Sequence, residues 1–261
     1  MTALSKFKTP LKEIVQQAGA AILDIYHDPS RFDVDYKSDK SPLTAADKAS
    51  NEIIIKGLSR LPEGYPIISE ESTKQPYESR KLYDYCWLVD PLDGTKEFIK
   101  RNGEFTINIA LVKLGRPVAG IIYVPVTGAC YFAADGEGAW RLDDDREVQL
   151  QCATFSLQQS GLRVLCSRSH LSEATQEYVA KLTEPVLVPQ GSALKFTVMA
   201  EGEGDIYPRI GPTMEWDTAA AHILLNEAGG EIVEFASGKP LTYNKESLLN
   251  PDFVAYGKGK I

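Results

Sequence analysis

"CWLVDPLDGTKEFI" (residues 86–99) ends an apolar run in two aspartates three positions apart, with Pro91 and Leu92 between them and Gly-Thr behind. "YCWLV" reads as a buried strand, which leaves Asp90 at its C-terminal end, where open α/β sheets gather their ligand sites. Pro91 is expected to stop the ladder and turn the chain. Asp93-Gly94-Thr95 then reads as a turn that opens a short helix, whose first N–H groups suit an anion. Carboxylates and phosphate-binding amides are thereby expected side by side. An Asp-Gly pair alone is more often an Asx-turn and an N-cap.

Three other segments add acids. "IISEES" places Glu70 and Glu71 after another apolar strand, so a carboxylate at a second strand end can face Asp90. In "GPTMEWDTAAAHILL", Asp217 begins a helix whose first turn is Thr218-Ala219-Ala220-Ala221. Small residues there let the helix end approach other backbone, and its dipole favours an anion. "SPLTAADKAS" adds Asp47 in the first turn of a further helix. Taken singly, each is an ordinary cap or a solvated strand end.

Held together, they need an explanation. Two unit charges about 4 Å apart repel by roughly 4 kcal/mol at an effective dielectric near 20. Divalent cations reverse that sign, and hard oxygen ligands without His or Cys at matching spacings indicate Mg²⁺ rather than Zn²⁺. Mg²⁺ characteristically bridges carboxylates to substrate phosphates, and paired ions activate water on one side while steadying the leaving oxygen on the other. Phosphate-ester hydrolysis is the expected chemistry.

Outward from this stretch, apolar residues from Leu11 to Tyr26 follow the helical period, and a second helix is expected from Thr44 to Leu61. "YPIIS" and "DYCWLV" read as strands. "FTINIALVKL", "RPVAGIIYVPV" and "GACYFAADGEGAW", punctuated by Gly and Pro, read as an antiparallel meander. Beyond it, strands near Leu162–Cys166 and Val186–Val188 alternate with helices near Ser172–Leu182 and Ser192–Ala200, as in an α/β layer. A last helix, Trp216 to Ala228, precedes "EIVEF" and "DFVAY". No internal repeat or low-complexity linker interrupts the 261 residues, and Leu142–Leu150, "LDDDREVQL", reads as a solvated turn. The expectation is one continuous domain over 1–261, divisible into two lobes near residue 150.

Composition closes off other classes. A formal charge of −8 opposes binding to nucleic acid, although an acidic protein takes a phosphate when cations stand between. No run is long and apolar enough for a spanning helix, and the N-terminal residues lack the apolar core of a signal peptide. A cytoplasmic protein is expected, with peripheral association with the inner face of the membrane left open. Cys86, Cys130, Cys152 and Cys166 show no CxxC spacing and read as buried free thiols. His27, His170 and His222 are too scattered for a triad, and His222 reads as packed inside its helix. Haloacid-dehalogenase-type phosphatases also carry Asp-Gly-Thr after a strand, but their nucleophile stands where this chain has Pro91. No dinucleotide fingerprint, P-loop or HExxH motif is present.

"ISEES", "WLVDPLDGTKEFI" and "WDTAAAHIL" together resemble, in order and spacing, the three metal-site motifs of the lithium-sensitive inositol monophosphatase superfamily. The longer strings "DPLDGTKEFIKRNGEFTINIALV" and "GSALKFTVMAEGEGDIYPRIGPTMEWDTAA" are similar to its bacterial 3'(2'),5'-bisphosphate nucleotidase branch. That resemblance implies an α/β (α+β) fold, a layered α-β-α-β-α sandwich of the inositol monophosphatase and fructose-1,6-bisphosphatase type, with the site between sheets. It implies two or three Mg²⁺ ions held by Glu70, Asp90, Asp93, Asp217 and the carbonyl of Leu92. Asp47 and Thr95 would orient the attacking water, with Glu71 assisting, while the amides of Gly94 and Thr95 hold the phosphate. Glu70, Leu92, Asp93 and Asp217 would thus also border the substrate. The implied reaction takes the 3'-phosphate from adenosine 3',5'-bisphosphate, extending to its sulfated analogue, and the implied inhibitor is Li⁺. Ser167, His170, Lys195 and Arg209, with Arg168 and Tyr207, are candidates for the second phosphate and the base. Relatives acting on inositol monophosphate or fructose 1,6-bisphosphate share this machinery, but the Lys96-Glu97-Phe98 insertion and "GPTMEWD" favour the nucleotide. A silent Mg²⁺ and nucleotide sensor is opposed by the intact ligand set.

Overall fold

Alternation along residues 85–93 sorts the molecule into layers. Trp87 and Val89 join an apolar cluster on one face of their strand, and Cys86 and Leu88 join another on the opposite face, as a period of two dictates. The computed structural model describes residues 3–28, 34–36, 42–143, 146–168 and 172–260.

A 3-10 turn (Leu4–Phe7) leads into helix α1 (Lys8–His27). Strands β1 (Val34–Tyr36) and β2 (Pro42–Thr44) form an antiparallel pair ahead of α2 (Ala45–Leu58). The main sheet holds seven strands in chain order: β3 (Ile67–Ser69), β4 (Tyr85–Asp93), β5 (Thr106–Lys113), β6 (Arg116–Val124), β7 (Ala129–Ala134), β8 (Gly138–Leu142) and β9 (Glu147–Gln149). β3 runs parallel to β4 and the rest form an antiparallel meander. Short helices α3 (Tyr77–Arg80) and α4 (Thr95–Ile99) sit in its connections.

After β10 (Thr154–Ser156) come β11 (Arg163–Ser167), α5 (Glu173–Val179), β12 (Val186–Gln190), α6 (Leu194–Ala200), β13 (Ile206–Arg209), α7 (Glu215–Glu227), β14 (Glu231–Glu234) and β15 (Phe253–Tyr256). The second sheet has the order β12-β11-β13-β15-β14. A last strand, β16 (Lys258–Lys260), pairs in parallel with β10.

Three apolar clusters give the stacking. One joins α1 and α2 to the first face of the main sheet through Leu11, Ile22, Ile54, Trp87 and Ile109. A second fills the space between the sheets with residues of α6 and α7, among them Phe196, Ala220 and Leu224. A third lies behind the second sheet, where Val164 and Ile206 meet Val179 of α5. The result is the expected α-β-α-β-α sandwich. α7 can lie against the main sheet because both surfaces are small: a Cβ on Gly120 would stand 2.9 Å from the Cα of Ala220. Phe98 of α4 packs against Tyr26 and Phe105, and burying such a ring contributes about 2 kcal/mol.

Most expected elements are present within a few residues. The exception is Pro91, which does not end its strand. β4 pairs with β5 on both sides of it, Asp90 opposite Asn108 and Asp93 opposite Thr106. Three steps on β4 therefore match two on β5, which is a β-bulge, the place where a strand tolerates a residue without an N–H. Within Leu142–Leu150, expected as a solvated turn, Glu147–Gln149 instead form β9, an edge strand of the main sheet paired with β8; residues 144–145 lie outside the described residues. All four cysteines are buried and free. No helix among the described residues is long and apolar enough to cross a membrane.

Candidate active site

The bulge decides where the acids point. Residues three apart on a regular strand face opposite ways. Here Asp90 and Asp93 oppose Asn108 and Thr106, which are two apart and so share a face of β5. Both aspartates thus face the space between the sheets, where α7 lies. β3 runs parallel to β4 with Ser69 opposite Val89, and the Glu70 N–H donates to the Val89 carbonyl at 3.0 Å. Glu70 is carried to the same edge from the neighbouring strand. From α7 comes Asp217, three residues into a helix capped by its own carboxylate, which accepts the Met214 N–H at 2.8 Å.

Glu70, Asp90 and Asp217 each bring a carboxylate oxygen within 4.8 Å of the others. Asp90 is buried, and its Oδ1 accepts the Leu92 N–H at 3.0 Å. Burial, then the charges of Glu70, Asp93 and Asp217, push the Asp90 carboxyl well above the usual range. Burial, then Asp93 and Glu70, do the same to Asp217. Asp93 is raised by burial and Glu70, against a hydrogen bond from Ser192 and the charge of Lys195. An all-oxygen, mutually repelling set, with Asp90 buried and the others half-buried, fits a hard divalent cation, for which carboxylate oxygens are the ordinary ligands. It offers neither the thiolates nor the imidazoles of a zinc site.

Asp47 serves two ends at once. As the third residue of α2 it completes a capping box with Thr44, accepting the Thr44 N–H at 2.7 Å and hydroxyl at 2.6 Å on Oδ2. Its Oδ1 accepts the Thr95 hydroxyl at 3.2 Å, and that hydroxyl also lies 3.4 Å from the Leu92 carbonyl. Gly94, at φ +95°, takes the left-handed conformation that starts α4, where a Cβ would press on the Glu104 carbonyl at 3.0 Å. Ser50 fixes the bulge from behind by donating to the Pro91 carbonyl at 2.7 Å.

A cavity of about 260 Å³ opens beside Asp93 and Asp217. Gly94, Ser167, Lys195, Tyr207 and Arg209 line it, as do Lys96 and Glu97 of the insertion. Lys195 is buried; its ammonium donates to the Ser192 carbonyl at 2.6 Å and the Gln190 carbonyl at 3.2 Å, and stands 5.3 Å from the Tyr207 ring. Burial lowers it to about 8, opposed by the charge of Asp93. The Arg209 Nε is buried without a partner among the described residues, while its NH2 donates to the Pro212 carbonyl.

Of the expected residues, the structure brings together Asp47, Glu70, Asp90, Leu92, Asp93, Gly94, Thr95 and Asp217, with Ser167, Lys195 and Arg209 on the adjoining cavity wall. Glu71 is outside the trio of approaching carboxylates, and its N–H donates to Ser69 Oγ at 3.3 Å. Arg168 is turned to Glu104, donating from Nε at 2.8 Å, and does not line the cavity. His170 lies outside the described residues. His222 is packed in α7, 2.9 Å from the Tyr243 hydroxyl. Ser192, Glu104 and Asn108 were not singled out in the sequence, yet Ser192 and Asn108 bond Asp93 and Glu104 accepts the Gly191 N–H.

The family model for the inositol monophosphatase family matches residues 3–258. The chain belongs to that family. It is 44% identical over 244 residues to the 3'(2'),5'-bisphosphate nucleotidase CysQ of Escherichia coli strain K12, covering 92% of this chain and 96% of that protein. The crystal structure of CysQ from Bacteroides thetaiotaomicron, a bacterial member of the family, superposes with a TM-score of 0.87 at 41% identity over the whole of both chains. An inositol monophosphatase from Anabaena is also similar, with a TM-score of 0.74 at 27% identity, covering 99% of this chain and 92% of that one.

Proposed function

We propose that this chain is a cytoplasmic Mg²⁺-dependent 3'(2'),5'-bisphosphate nucleotidase. In this reading it hydrolyses the 3'-phosphate of adenosine 3',5'-bisphosphate to AMP and phosphate, and the sulfated analogue likewise. One observation carries the reading: four carboxylates that repel one another gather at one place, and two of them, Asp93 and Asp217, line a cavity walled by Lys195 and Arg209. Acids gather for a cation, and the basic wall faces a second anionic group. Similarity to the CysQ proteins supplies the substrate.

Glu70, Asp90, Asp93, Asp217 and the Leu92 carbonyl would hold two or three Mg²⁺. Bound there, the cations supply Lewis-acid stabilisation of phosphoryl oxygens and lower the pKa of water. The protein's own groups do the rest. Thr95, held by Asp47, orients the attacking water and passes its proton toward the Asp47 carboxylate. The N–H groups opening α4 face the phosphoryl oxygens after the left-handed Gly94 turn. Lys195 and Arg209 take the second phosphate from the far wall, with Ser167 beside them. Both lobes contribute to one site, so the chain acts as a single catalytic domain.

Phosphate release from adenosine 3',5'-bisphosphate, inositol monophosphate and fructose 1,6-bisphosphate, each with and without Mg²⁺, is the decisive measurement. Release from the nucleotide only with Mg²⁺, and sensitivity to Li⁺, are expected. A preference for inositol phosphate rejects the substrate, and metal-independent turnover rejects the mechanism.

A further inference from the structure

Ser192 lies in the turn between β12 and α6, 99 residues from Asp93 in sequence, yet it meets that aspartate twice. Its hydroxyl stands 2.6 Å from Asp93 Oδ2 and 3.0 Å from the Asp93 carbonyl. The Thr106 hydroxyl lies 2.7 Å away, so it can donate to Ser192 while Ser192 donates to the carboxylate. On the other side of the same residue, the Ser192 carbonyl accepts the Lys195 ammonium at 2.6 Å.

The turn has no room to drift. Gly191 donates its N–H to Glu104 Oε2 at 2.8 Å, and a Cβ on Gly191 would stand 2.9 Å from the Glu104 carbonyl. A Cβ on Gly94 would meet the Ser192 Cβ at 3.2 Å. Ser192 itself has φ +49°, a left-handed conformation that glycine adopts at less cost. The hydrogen bonds its hydroxyl makes to Asp93 offset that backbone cost. We infer that Ser192 is a positioning residue for Asp93, and that one turn of the second lobe links that carboxylate to the cavity's buried ammonium.

The inference rests on Asp93 being a Mg²⁺ ligand. Partners of metal ligands typically govern affinity by about 10-fold to 100-fold. Calorimetric titration with Mg²⁺ alone, without nucleotide, is the test, applied to wild type, Ser192→Ala, Ser192→Gly and Asp93→Asn. Both Ser192 variants are expected to bind Mg²⁺ about 10-fold to 100-fold more weakly. Ser192→Gly, which suits the backbone, is expected to melt in EDTA within about 4 °C of wild type. Affinity within twofold of wild type in both variants overturns the inference. So does a fall in melting temperature in EDTA that accounts for the lost binding, since it assigns Ser192 a structural role. Asp93→Asn separates the two levels. If it binds Mg²⁺ like wild type, the metal-site reading fails; if it loses binding while the Ser192 variants keep it, only this inference fails.

Discussion

Two carboxylates stand two residues apart in the first turn of α7 and live in opposite electrostatic surroundings. Glu215 is fully buried, and its oxygens accept the Asn244 N–H at 2.5 Å, the Lys245 N–H at 3.1 Å and the Lys245 ammonium at 2.5 Å. The segment that supplies these groups is itself held by Arg80, which donates to the side chain of Asn244 and the carbonyls of Lys245 and Glu246. Asp217 faces Asp93 and Glu70, and Arg209 is a minor opposing influence. A carboxylate needed for architecture is neutralised by the chain's own atoms. One that confronts like charges is arranged for a ligand from outside.

The largest effect that could break this contrast is on turnover. Asp217→Asn keeps the helix cap, because an amide oxygen can still accept the Met214 N–H, but removes an anionic ligand. Phosphate release should fall by about 10³-fold, the upper end for loss of a group that stabilises transition-state charge. In EDTA the variant should melt no lower than wild type, because burial and like charge raise Asp217 in the folded state and its ionised form opposes folding. Mg²⁺ should raise the melting temperature of wild type more than that of the variant. A variant with normal turnover, or one that unfolds in EDTA, would place Asp217 with Glu215.

Asp47 tests the middle ground, being both cap and functional partner. Thr95→Ala leaves the Thr44 capping box untouched, so stability should hold while kcat falls by about 10²-fold to 10⁴-fold, the range for proton-transfer groups. Chemical denaturation beside steady-state kinetics checks both halves.

Glu215→Ala should do the reverse. It takes the carboxylate from two backbone amides and from Lys245, whose ammonium keeps the Thr242 carbonyl, and denaturant unfolding should show a loss of about 3 kcal/mol, the lower end for removing one partner of a buried pair. Turnover per folded molecule should change by less than about 10-fold, small beside what proton-transfer groups contribute.

The smallest effect belongs to His222, further along the same helix. Burial holds it down to about 4, against an ordinary 6.5, so it is neutral in the folded protein while the unfolded chain takes up a proton below pH 6.5. More protons bind the unfolded state in that window, and stability must fall as pH drops from 6.5 toward 4, by at most about 3 kcal/mol. The difference in stability between wild type and His222→Gln, followed across that range, isolates this contribution. A difference independent of pH would show that His222 is not held neutral.

Much of this was legible from the chain. The acids lie beside apolar strands or open helices, and the Ala run of α7 announced a close approach that Gly120 completes from the sheet. Local signals, however, cannot report a partner that arrives from elsewhere. Proline usually ends a ladder, but β5 supplies pairing on both sides of Pro91, and the bulge absorbs the missing N–H. Ser192 carries no motif signal because its meaning depends on the second sheet setting it against Asp93. Nothing in the local sequence of Arg168, a candidate substrate contact, announces Glu104, 64 positions earlier, which accepts its guanidinium.

The odd step in β4 makes the distance between Asp90 and Asp93 a matter of counting rather than of side-chain type. Another residue in place of Pro91 could leave both acids looking into the gap between the sheets. Removing one residue would restore even pleating and swing one carboxylate toward the greasy underside packed by α1 and α2. Such a deletion should silence the enzyme even though every acidic group survives in its sequence.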